Sequence, residues 1–284
     1  MTAAQASPAG TVTAPETSPP KRAGFGRLML SEWTKIRSVR STVWSLILFV
    51  VVSIGFTVLF TALTEANWNA GNDAATRNAT IVADPVNFIM GAGLGLGQLT
   101  ICVLGALLIT TEYSTGVIRS SLLAVPRRIP MLAAKAAVFA VLILVAAEIV
   151  CFAAFLTGSA ILHAHAPVSL GDPNVTRAVI GSGLYLTVVA LLALAIGAII
   201  RHTAGAISTV IGVILVVPIL TGLLPGTVGK HINAYLPAQA GTLIGQAHRH
   251  ADDLLSPWQG FGVLCIWAAV LLGVAVYLLK RRDA

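Results

Sequence analysis

The chain has 284 residues, of which 56% are hydrophobic and only 10% charged, with a formal net charge of +7 and a mean hydropathy of +0.87. A soluble domain carries about 25% charged residues because its surface must face water. Soluble enzymes, nucleic-acid binders and disulfide-stapled secreted domains are therefore disfavoured, and lipid is read as the main solvent. The excess of positive charge forms no stripe along a soluble face, because Lys and Arg gather at the edges of long apolar runs. Cys102, Cys151 and Cys265 all lie inside such runs and read as small core or lipid-facing residues.

Residues 1–24 open the chain with a tail rich in Ala, Thr, Ser and Pro and without apolar periodicity, which reads as disordered and cytoplasmic. It lacks the basic start, apolar core and cleavage site of a signal peptide. From Phe25 to Thr42 an amphipathic pattern takes over. Leu28, Leu30, Trp33, Ile36 and Val39 recur about every third residue, and Arg27, Glu32, Lys35, Arg37 and Arg40 fill the positions between them. A basic amphipathic helix of this kind lies in the plane of a membrane surface.

Residues 43–284 then contain six stretches long enough to cross a bilayer, which takes about 20 apolar residues. They are residues 43–63, 88–111, 131–162, 178–200, 204–224 and 258–279. On one side of these spans fall Lys21, Arg22, Arg27, Lys35, Arg37, Arg40, Arg119, Arg127, Arg128, Lys135, Arg201, Lys280, Arg281 and Arg282. The other side receives only Arg77, Arg177, Lys230 and Arg249. Since positive charge is retained in the cytoplasm, the expectation is an all-α, multi-pass protein of a bacterial plasma membrane with both termini inside. The loop after the fifth span has room for one short helix, over about 238–252, on or dipping into the outer surface.

The segment between the second and third spans carries the most information. Glu112 and Tyr113 end a span, Gly116 permits a break, and Ile118, Leu122, Leu123 and Val125 give a short apolar stripe. Pro126, Arg127, Arg128 and Pro130 close the stripe before Lys135 opens the third span. A half-apolar helix hung between two spans is suited to serve as a handle through which another protein moves both.

The pattern Glu112-Tyr113-x-x-Gly116-x-x-Arg119, followed by Leu122-Leu123 and Pro126-x-Arg128 with Lys135 beyond, resembles the permease subunits of type-2 ATP-binding-cassette (ABC) exporters. The run from Ser31 to Thr42, with Glu32, Lys35 and Arg37, resembles the amino-terminal segment of actinobacterial members. Val117 stands where Thr is usual and Arg127 where Ser is usual; neither removes a charge or the hinge glycine. The resemblance implies a non-enzymatic permease that works as a homodimer or with a related permease and pairs with a separate ATPase. That ATPase carries the ATP and Mg, and contacts the amino-terminal helix and the loop after the second span. In agreement, the run Pro225-Gly226-Thr227-Val228-Gly229-Lys230-His231 lacks the first Gly and the hydroxyl of a phosphate-binding loop.

Other residues invite separate readings. Glu148 is the only acid deep in a span, about 20 Å past Lys135 at 1.5 Å per residue. Intramembrane carboxylates mark ion sites or translocation paths, or are hydrogen-bonded packing groups; the first of these would make the chain a gradient-driven secondary transporter. Gly91, Gly93, Gly95 and Gly97 form two small-x-x-x-small pairs suited to close helix packing. Pro218 is expected to kink the fifth span. His163, His165, His248 and His250 read as solvated loop residues, because the spacing supplies too few aligned ligands for a metal. A membrane-embedded transferase is disfavoured, since the only acidic pair, Asp252-Asp253, lies in an outer loop.

Overall fold

A computed structural model describes residues 24–38, 40–71, 73–116, 128–250 and 252–281, with the backbone alone at Ala92 and Arg128. Residues 1–23 of the expected tail, the handle segment 117–127 and Arg119 lie outside the described residues. The described chain is helical and contains no strand. Six helices are long and apolar enough to cross a membrane, as expected of a multi-pass membrane protein.

An amphipathic helix, α1 (Phe25–Ser38), leads into the first span, α2 (Arg40–Ala66). A short α3 (Ala74–Ala83) precedes the second span, α4 (Pro85–Ser114), whose start is fixed by Pro85 in the first turn and by Asp84, which accepts from the Asn87 amide at 3.1 Å. The third and fourth spans are α5 (Arg128–Ile161) and α6 (Val175–Ile200). The fifth runs through α7 (Thr203–Ile211), a π-helical stretch (Gly212–Val216) and α8 (Val217–Gly222). Beyond it come α9 (Gly226–Ala234), α10 (Pro237–Thr242) and the sixth span, α11 (Pro257–Arg281). Each of the six long helical stretches begins and ends within a turn of one of the expected apolar runs. Arg40 to Thr42 belong to the first span's helix, whereas the sequence pattern assigned them to the amphipathic one.

The most enclosed span is α6, which packs against α4, α5, α7 and α11. On the periphery, α2 lies against α4 and α5. The face that α2 turns inward is Phe49, Ser53, Thr57 and Thr61, one residue per turn. The Thr57 hydroxyl donates to the Ser53 carbonyl at 2.9 Å and that of Thr61 to the Thr57 carbonyl at 2.6 Å, so the helix satisfies these two hydroxyls within itself, whereas the buried Ser53 hydroxyl has no partner among the described residues. A stripe of small side chains lets the α4 backbone come close. A Cβ added at Gly93 would collide with the Ser53 carbonyl, and one at Gly97 with the Ser53 hydroxyl. No atom stands near the corresponding position at Gly91 or Gly95. One glycine pair thus packs α4 on α2, and the other faces a cleft shared with Gln98, Ser182 and Tyr185.

The loop between the fifth and sixth spans differs from the single helix expected over 238–252. Pro237 starts α10, a 3-10 turn (Leu243–Gly245) follows, and the chain then turns back toward α11. The segment inserts because glycines admit it: Gly241 abuts Tyr185 and Leu264, and Gly181 abuts the Ile244 carbonyl. Arg177 ties its exit, donating to the carbonyls of Ile244 at 3.2 Å and Gln246 at 2.7 Å. The expected kink at Pro218 takes the form of the π-helical stretch just before it. A proline ring leaves no room for the carbonyl four residues back and offers no N–H, and a wider turn absorbs both losses.

Candidate functional site

The site lies at one end of the bundle, where α1, the last turn of α4 and the second turn of α5 meet. Within α1, residues 28, 32 and 36 stack one turn apart, so Leu28, Glu32 and Ile36 share the buried face. Periodicity alone grouped Leu28 and Ile36 with Leu30 and Trp33 and left Glu32 among the polar positions. The structure instead buries Glu32 to 3% exposure and leaves Leu30 and Trp33 exposed. The physical reason is Lys135.

Lys135, itself only 1% exposed, projects from α5 between two carboxylates. Its Nζ donates to Glu32 Oε2 at 2.6 Å and to Glu112 Oε1 at 2.7 Å. Lys35, one turn along α1 and half-exposed, donates to Glu32 Oε1 at 2.7 Å and stands 3.9 Å from Glu112 Oε1. Among the described residues, two acids and two bases drawn from three helices thus balance one another in charge. Removal from water raises the Glu32 carboxyl pKa, but the charge and hydrogen bond of Lys135, with help from Lys35, outweigh that effect and hold it below its ordinary value. A buried ion pair contributes little net stability over an apolar substitute, yet loss of one member costs about 3–5 kcal/mol because a buried charge is stranded. The cluster therefore acts as a specific fastener: α1 docks in one register or leaves charges unpaired.

Beside the cluster, the Tyr113 ring lies 5.0 Å beneath the guanidinium of Arg201. Arg201 sits in the tight turn between α6 and α7 with a left-handed backbone (φ 62°), and its Nη2 lies 3.5 Å from the Leu278 carbonyl near the end of α11. Tyr113 is thereby connected to the ends of the fourth and sixth spans. Gly116, also left-handed (φ 71°), ends α4 as the helix-stopping glycine the sequence suggested. The described chain stops there and resumes at Arg128, so both helices flanking the 117–127 segment are pinned by one lysine. Arg37 stands apart from this cluster, on the exposed side of α1.

No protein-family model matches this chain, and no curated protein matches it.

Away from this end, Glu148 projects from α5 onto Gly183 of α6, where an added Cβ would fall 2.5 Å from its carboxyl carbon. Glu148 Oε2 is buried and has no hydrogen-bond partner among the described residues. The Tyr185 hydroxyl donates to Gln98 Oε1 at 2.6 Å, a bond between buried Tyr185 of α6 and half-buried Gln98 of α4 that periodicity does not single out. At the end of the bundle opposite the cluster, His165 Nδ1 lies 2.8 Å from Glu65 Oε1, and its ring stacks on Trp68 at 4.4 Å. His250 Nε2 lies 3.6 Å from Asp84 Oδ2. These histidines join helix ends rather than one another. Among the described residues no cluster of three or more potential metal ligands occurs.

Proposed function

We propose that the chain is the transmembrane subunit of an ATP-driven exporter in a bacterial plasma membrane, with both termini cytoplasmic. Two permeases, identical or related, would form the translocation path between them. A separate ABC ATPase subunit, carrying ATP and Mg, would grip α1 and the 117–127 segment. The single observation that supports this reading is the bridging of Glu32 and Glu112 by buried Lys135. A lever must be stiff between the point where it is pushed and the load it moves. Lys135 ties α1 to the helix before the gripped segment while belonging to the helix after it, so force applied to either surface reaches α4 and α5 together. Tyr113 and Arg201 extend the same connection to the ends of the fourth and sixth spans. Coupling of this kind requires the ATPase to contact the lever differently in its nucleotide-bound and nucleotide-free states.

The reading is tested by seeking an ABC ATPase in the neighbouring reading frames, co-expressing it with this chain and reconstituting the pair in vesicles. Glu112→Ala and Gly116→Pro are each expected to abolish stimulation of ATP hydrolysis by the permease while membrane insertion persists. Unchanged stimulation in both variants contradicts the assignment.

A second reading, gradient-driven transport, is favoured by the unpartnered carboxylate oxygen of Glu148 in the middle of α5. Under that reading Glu148→Gln removes the pH dependence of transport. Under the first it leaves nucleotide-dependent transport in place.

A further inference from the structure

The outward side of α1 carries a feature that the coupling site does not use. Glu32, the only acid of this helix, is turned into the cluster. Arg27 and Arg37 are exposed, and neither pairs with a carboxylate among the described residues. Between α1 and α5 lies a cleft. Met29, Leu30 and Trp33 of α1, with Val138 and Val141 of α5, line an almost wholly apolar groove of about 210 Å³. Trp33 and Arg37 are one helical turn apart, so the cation stands at the rim of the groove its neighbour lines. From the groove an exposed row on α5, Val141, Val145 and Ile149, continues for about 12 Å along the helix. The combination is a cation over a groove that opens into an apolar track. An unpaired arginine beside an apolar groove complements a phosphate attached to a hydrocarbon chain, because the guanidinium presents a planar fork of donors to phosphate oxygens.

We infer that this groove is a binding site for an anionic phospholipid, with one acyl chain between α1 and α5 along Val141, Val145 and Ile149, and the phosphate held by Arg37. The inference needs only that the chain is embedded in a membrane and does not depend on the exporter reading. A bare bilayer contact would also wet this face with lipid, but it would not discriminate between headgroups. Selectivity for negative charge is what Arg37 adds. A basic residue close to an anionic membrane surface supplies about a five-fold preference.

Trp33 provides the probe. The full chain is reconstituted in phosphatidylcholine vesicles with a minor fraction of lipid brominated on its acyl chains. The bromines are carried either by phosphatidylglycerol or by phosphatidylcholine. The share of tryptophan quenching due to Trp33 is the difference between the native chain and Trp33→Phe. That share is expected to be about five-fold more sensitive to brominated phosphatidylglycerol than to the brominated zwitterion. Arg37→Gln is expected to equalise the two lipids without reducing quenching by the zwitterion, and Arg37→Lys to keep most of the preference. Equal quenching by both lipids in the native chain overturns the inference, leaving an ordinary bilayer contact. A preference that survives intact in Arg37→Gln overturns the assignment of the phosphate. Absence of Trp33 quenching by either lipid overturns the site, because another segment or a second chain then fills the groove.

Discussion

At the scale of single residues, the two lysines of the cluster are chemically alike and physically different. Lys135 is enclosed and holds two carboxylates, whereas Lys35 is 37% exposed and water can replace much of what it offers. Lys135→Met takes the enclosed cation from both carboxylates, leaving half-exposed Lys35 on Glu32 and 3.9 Å from Glu112. Its expected cost is about 3–5 kcal/mol, read as a lower thermal midpoint in detergent. Lys35→Met is expected to cost about 1 kcal/mol or less, as for an exposed ion pair. Equal costs would show that the depth of Lys135 has no energetic meaning. Acid acts through the same contacts. Because folding holds the Glu32 carboxyl below its ordinary value, the docked α1 gains stability above the unfolded carboxylate pKa of about 4.3 and loses it as pH falls through the lower folded value. Hydrogen exchange or limited proteolysis of α1 is expected to rise on acidification from about pH 6 to about pH 3. In Glu32→Gln the acid step should shrink; an undiminished step would mean that other groups set it.

At the scale of elements, the helices of this protein associate by close approach more than by apolar patterning. Apolar residues lie on every side of α2 along its middle, so no amphipathic stripe marks its buried side, which is identified by Ser53, Thr57 and Thr61. Lipid tails reward burial of an apolar side chain far less than water does, and small residues that admit a neighbouring backbone decide the interface. Gly93→Ala meets the Ser53 backbone and should lower the thermal midpoint of the protein clearly. Gly97→Ala meets a hydroxyl that can rotate and should cost less. Gly91→Ala, with open space before it, should leave the midpoint near that of the native chain. A Gly91 variant as damaging as the Gly93 variant would refute this division of the two pairs. The four glycines were legible in the sequence as a pair of packing motifs, but which pair meets which helix depends on the roll of α4, and one helix's sequence does not encode that roll. The same lack explains the loop beyond the fifth span. Its helix-forming residues were visible, but its insertion depends on Gly181 and Gly241, whose role appears only once both sides of the contact are known.

At the scale of the whole molecule, a composition with so few charges points to lipid as solvent, and the length and period of the apolar runs give six candidate spans and an amphipathic lead-in. The candidate site was legible only in fragments. Glu32, Glu112 and Lys135 each stand in recognisable runs, but the contacts that join them cross 103 and 23 positions of sequence. A charge on an amphipathic helix is ordinarily solvated, so nothing local distinguishes Glu32 from Arg37. What the assembled bundle adds is a set of contacts between elements: α1, α4 and α5 share one buried cation, and Tyr113 and Arg201 link them to the ends of the fourth and sixth spans. The central claim is that these contacts transmit motion supplied by a separate ATPase. Its most direct test is ATP hydrolysis by the tagged chain isolated in mild detergent from its own membranes. The sequence contains no phosphate-binding loop, so hydrolysis that co-elutes with the native chain and falls away with Lys135→Met is the predicted result. A folded, monodisperse native chain that elutes without any ATP-hydrolysing companion, in detergent and in nanodiscs alike, would contradict it.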